Sequence, residues 1–63
     1  MCELNAILIK DGIQQTIMEG VVRVEVSDEG KSMDLYDIFS EHMHIEGTIA
    51  SIDITKQRLV INV

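Results

Sequence analysis

Cys2 is the only cysteine of the chain, and it stands where main-chain nitrogen can join its sulfur in holding a metal ion. A thiolate is a soft ligand suited to nickel, copper(I) or zinc, and beside a free amine or ionisable amides it closes small chelate rings. Removal of Met1, commonly expected where the second residue is small, would let Cys2 offer amine and sulfur together, with the Glu3 backbone amide as a further nitrogen donor. That nitrogen and sulfur set favours square-planar Ni(II) or Cu(II). Retention of Met1 leaves amide nitrogens and the thiolate, a poorer set. The competing reading of Cys2 is a small, partly buried apolar residue without chemistry, because free cysteines are among the most buried residue types.

A second set of donors lies at His42 and His44. On a strand, residues two apart face the same way about 7 Å apart. The two imidazoles therefore share a face with Glu46, opposite Met43 and Ile45, and could share a metal. The same alternation describes a solvated polar face whose other side packs the core. With one cysteine in the chain, a closed structural zinc site from one subunit would need unusual ligands.

Other chemistries find little support. Acidic residues are numerous, but no two carboxylates are singled out by opposed environments, and scattered serines do not make a nucleophile with a histidine and an aspartate. Cys2 with His42 or His44 could form a thiol–imidazole pair, yet so short a chain scarcely provides the enclosed pocket a hydrolase needs. Gly12, Gly20, Gly30 and Gly47 are isolated turn residues, not a phosphate-binding loop. The reading is of a protein that is not an enzyme.

The elements that must position these donors are short strands. Cys2 to Lys10 is apolar and β-branched enough for one, with Leu4, Ala6 and Leu8 on one face and Asn5, Ile7 and Ile9 on the other. Both faces are largely apolar, so the strand should be covered on both, by the core and by a neighbouring subunit. Asp11-Gly12 signals a two-residue hairpin. Ile13 to Glu19 returns, Gly20 permits a bend or bulge, and Val21 to Val26 alternates with Val22, Val24 and Val26 expected inward. Ser27 to Lys31 reads as a hairpin loop, followed by a strand that buries Met33 and Leu35. A corner at Asp37-Ile38-Phe39-Ser40 should insert Ile38 and Phe39 into the core. Gly47 allows a turn into Thr48 to Asp53, and Lys56-Gln57 lies in the loop before Arg58 to Val63. About five to seven short strands in residues 1–63 predict an all-β single domain, a small antiparallel barrel.

Sixty-three residues is near the size at which one core supplies only about 3 to 5 kcal/mol, and such chains often recruit disulfides, metals or partners. An internal disulfide is impossible here, and 46% apolar residues make a homodimer the economical way to bury the surplus. No apolar run approaches the roughly 20 residues that span a bilayer, and no secretory segment is evident, so a cytoplasmic location is expected. The net charge of −6, from 11 acidic and 5 basic residues, opposes phosphate-backbone binding. Tyr36 and Phe39 are the only aromatics, too few to interleave with basic residues as a base-stacking surface.

The opening Met1-Cys2-Glu3-Leu4-Asn5-Ala6, with Asp37-Ile38-Phe39-Ser40-Glu41 and later Gly47-Thr48-Ile49, resembles the CooT family of small nickel-binding proteins associated with maturation of nickel-containing carbon monoxide dehydrogenase. The resemblance runs along essentially the whole chain, and its chemically specific part is the N-terminal motif. It implies an SH3-like topology, a working homodimer, Cys2 as the nickel-binding residue, and carbon monoxide dehydrogenase as client. Ser40 stands where the resemblance implies a glycine, a departure that bears on the local turn. The small hydrogenase-maturation chaperones also open Met-Cys but continue into a proline, and this chain has none. The expected function is a metallochaperone for Ni(II). The alternative is a small β-barrel adaptor or RNA-binding module without a metal role, since small barrels host many functions.

Overall fold

The computed structural model describes residues 3–63, and among them are six strands and no helix. These are β1 (Leu4–Lys10), β2 (Ile13–Val26), β3 (Ser32–Asp37), β4 (His42–Glu46), β5 (Thr48–Asp53) and β6 (Arg58–Asn62). They form one sheet in the order β4-β3-β2-β1-β6-β5. The β1–β2 hairpin closes as its sequence demands: Asp11 and Gly12 both take positive φ, 53° and 77°, the mirror-image turn that matches strand twist.

The expected antiparallel barrel is corrected on two counts. β1 and β6 run parallel, with Ala6 beside Leu59 and Leu8 beside Ile61, so the sheet is mixed. It is also open, because β4 and β5 are its two edges and do not pair with each other. One residue explains both features. Had Gly47 reversed the chain as a hairpin, the strands would have continued as an antiparallel meander. Instead it carries β4 onward into β5 without reversal, and the next hairpin brings β6 back alongside β1 in the same sense.

Gly47 also forces the sheet to curl. The outer strands of a flat six-stranded sheet stand about 24 Å apart, yet a single residue joins β4 to β5 and spans only about 7 Å. The corner is tight: a Cβ on Gly47 would lie 2.6 Å from the Asn62 carbonyl oxygen, and the Gly47 N–H donates to the Lys31 carbonyl at 2.8 Å. Any side chain at this position would force the neighbouring backbone to shift.

The concave side holds the core: Ala6, Val21, Met33, Leu35, Leu59 and Ile61, with Leu4, Leu8, Ile17, Met18, Val24, Ile45 and Ile49 packed around them. Inward placement of Leu4, Ala6, Leu8, Met33 and Leu35 follows the alternation of the sequence. Val22 does not, being 44% exposed while Val21 is buried. The cause is a β-bulge: Val21 pairs with Asp37 and Arg23 with Tyr36, two steps on β2 against one on β3. One extra residue exchanges the faces, so Val21 and Val24 point inward. Val26, at the strand end, is 49% exposed.

Ile38 and Phe39 also depart from expectation, at 46% and 78% exposed. Asp37 takes the inward position in their place. Its Oδ1 accepts the backbone N–H groups of Phe39 (2.8 Å) and Glu41 (2.9 Å), drawing the chain into a tight turn with Ile38 and Phe39 at its tip. Ser40 closes this turn at φ 66°, in the left-handed region that favours glycine.

Candidate metal centre

Of the N-terminal donor set, the described residue is Glu3, which immediately precedes β1. Cys2 lies outside the described residues; the description begins at Glu3, the neighbour whose amide was expected to contribute nitrogen. Glu3 is half-buried, and its Oε2 lies 3.4 Å from where a Cβ on Gly20 would be, against the irregular part of β2. Gly20 has φ 69°, and the β1–β2 register slips on either side of Ala6, between Leu4↔Val21 and Ile7↔Thr16. Its carbonyl accepts the Ile38 N–H at 3.1 Å, which ties the bulge to the β3–β4 turn. On the other flank, the Asn5 N–H donates to the Gln57 carbonyl at 2.8 Å. The start of β1 is thus held between the β2 bulge and the β5–β6 turn.

His42 and His44 project from one face of β4, as their spacing requires, and β3 supplies what the sequence did not reveal. Asp34 faces His44 across the β3–β4 ladder. Its Oδ1 accepts from His42 Nε2 at 2.7 Å and from His44 Nδ1 at 2.9 Å. A carboxylate only accepts, so both of those ring nitrogens carry hydrogen. A metal would therefore have to displace protons there, or use His42 Nδ1 or His44 Nε2. The two hydrogen bonds, that from His42 first, hold the Asp34 carboxyl below its usual range. The bond to Asp34 raises the His44 pKa, aided by Glu46, whose Oε1 lies 3.6 Å from His44 Nε2.

The same outer face continues onto β2. Tyr36 stacks on His42 with ring centroids 4.9 Å apart, and the Arg23 guanidinium lies 4.0 Å over the Tyr36 ring. Tyr36 donates its hydroxyl to Glu25 Oε1 at 3.0 Å, which raises the phenol pKa because ionisation would set two anions together. Sequence alternation placed these residues outward. It could not show that three strands bring them into one connected polar surface. Among the described residues, no group of three His, Cys, Asp or Glu side chains is arranged to hold a metal ion.

The comparisons with known proteins agree with this architecture. A family model described as CO dehydrogenase accessory protein CooT matches residues 1–62. The fold is similar to a crystal structure assigned to CooT from Carboxydothermus hydrogenoformans, with a TM-score of 0.84 at 21% identity over 97% of this chain and 95% of that one. No curated protein matches the sequence.

Proposed function

From the premise that this chain belongs to the CooT family of CO dehydrogenase accessory proteins, we propose that it is a nickel carrier for that enzyme, holding Ni(II) through Cys2. The observation that carries this reading is the family match over residues 1–62, which takes in the Met-Cys-Glu opening. Main-chain nitrogen, the Glu3 amide included, completes the donor set with the thiolate. Nickel is cargo here, and the protein's step is binding and release without catalysis.

Two features support the chemistry. A terminal chelate gives up its ion to a stronger site by ligand exchange more readily than a closed cage does. The strand that follows the Met-Cys-Glu opening is anchored at its start, the Asn5 N–H donating to the Gln57 carbonyl. The protein works as a homodimer in the cytoplasm; Ile7, Ile9 and Val60, partly exposed on the side of β1 and β6 away from the core, are the surface that a second subunit would cover.

Nickel titration of wild type and Cys2→Ser tests the reading, with native mass spectrometry reporting terminus, subunit count and metal count. Binding is expected to disappear or weaken strongly in the variant. Unchanged affinity and stoichiometry would rule the assignment out. The convergence of His42 and His44 on Asp34 favours a second reading, a nickel site on β4. In that case substituting both histidines weakens binding while Cys2→Ser leaves it largely intact.

A further inference from the structure

The first half of β2 is paired on one side only. β1 takes Ile13 to Met18, whereas β3 pairs with β2 only from Val21 to Val26. Facing the free edge is the Asp37–Glu41 turn, and between them lies a cleft of about 660 Å³. Its apolar lining is Ile17, Met18, Phe39 and Met43, and its acidic lining is Glu19 and Glu41 together with Asp37, whose carboxylate is engaged by the turn's own N–H groups. None of the five Lys and Arg residues lines it.

We propose that this cleft docks an extended segment of the client enzyme, basic and apolar in composition, added as a strand to the free edge of β2. Identifying the partner with the client rests on the function proposed above; the chemistry of the cleft stands apart from it. Strand addition supplies affinity through main-chain hydrogen bonds, and side-chain pockets supply specificity. Here the pocket is Phe39 with two methionines, a surface that repacks around varied apolar side chains. Phe39 is presented on a turn already stiffened by Asp37, so little ordering cost falls on binding.

Charge selects the occupant. Two carboxylates on the rim, with no Lys or Arg among the residues that line the cleft, are complementary to Lys or Arg flanking an apolar residue. A second copy of this chain fits poorly, because a two-fold contact would set Glu19 and Glu41 near their own images on a molecule of net charge −6. The cleft also adjoins Glu3, because Glu19 precedes Gly20, against which the Glu3 carboxylate rests.

Selection of a displayed random dodecapeptide library against the full-length protein tests the cleft without assuming the client. Enriched peptides should carry two or more Lys or Arg around Phe, Leu or Met. Their affinity should fall about ten-fold or more in Glu19→Lys/Glu41→Lys and in Phe39→Ala, weaken with salt, and hold in Ile54→Ala, a residue of the β5–β6 turn that does not line the cleft. Circular dichroism confirms that each variant is folded. Enrichment of acidic peptides, no enrichment, or equal binding by the charge-reversed variant would overturn the proposal. So would sedimentation in which Phe39→Ala alone converts a dimer to monomer, since a second copy would then be the occupant. Nickel-free CO dehydrogenase forms the second arm. Loss of its binding in the charge-reversed variant supports the assignment, and binding that survives in that variant overturns it. If peptides bind and the wild-type protein ignores the enzyme, the cleft stands and the client reading falls.

Discussion

Asp37 and Ser40 show how two side chains settle a corner that hydrophobic pattern misjudged. Without the Asp37 carboxylate, the Phe39 and Glu41 N–H groups lose their acceptor in a partly buried site. Asp37→Ala should therefore cost about 1–3 kcal/mol in urea unfolding. Ser40→Gly should act the other way, stabilising by up to about 1 kcal/mol, because a left-handed backbone strains every L side chain and the φ of 66° persists. The resemblance that implied a glycine here had a physical basis. His44 offers a test in pH. Its folded pKa is raised by Asp34, so its contribution to stability is fully present below the ordinary histidine value and fades as pH rises through the raised one. Asp34 has the opposite sense, its contribution being present above the ordinary carboxyl value and lost as pH falls through its lowered pKa. NMR titration of the imidazole C–H signals in wild type and Asp34→Asn should show the His44 pKa falling in the variant. An unchanged value would separate the histidine from the aspartate.

Among the elements, β2 and the β4–β5 corner carry the departures from regular alternation. β2 serves two partners, and its bulges near Gly20 and Val22 let it turn from one to the other while keeping Ile17, Met18, Val21 and Val24 against the core. The corner depends on one missing Cβ. Gly47→Ala should destabilise by about 1–3 kcal/mol in the same unfolding experiment, because the obstacle at 2.6 Å is backbone of β6 and cannot swing aside. Equal midpoints for variant and wild type would mean that the corner is looser than this contact implies. The cost is large against the whole stability of a chain this short. Alternation was legible where a strand is regular, as in β3 and β4, whose inward residues Met33, Leu35, Met43 and Ile45 follow the simple pattern. It failed at Val22 because a single inserted residue exchanges the faces, and side-chain chemistry does not announce the insertion.

The molecule as a whole is a curled sheet with a small core on one side and incompletely covered apolar residues on the other. If the outer side of β1 and β6 meets a second subunit, as proposed, Ile7→Glu should convert dimer to monomer in sedimentation at low micromolar concentration, and the wild-type unfolding midpoint should rise with protein concentration. A wild type that sediments as monomer under those conditions would contradict the dimer. The sequence by itself determined the all-β class, the Asp11-Gly12 hairpin, the outward pairing of His42 with His44, and the thiol chemistry available at Cys2. These follow from local rules, namely backbone preference, two-residue periodicity and ligand softness. Only the tertiary structure decided that β6 runs parallel to β1, that the sheet stays open, that Asp34 joins the two histidines, and that Phe39 faces a cleft instead of the core. Each of those depends on register and direction between segments far apart in the chain, where a shift of one residue or one unreversed corner changes the neighbours without altering the local pattern.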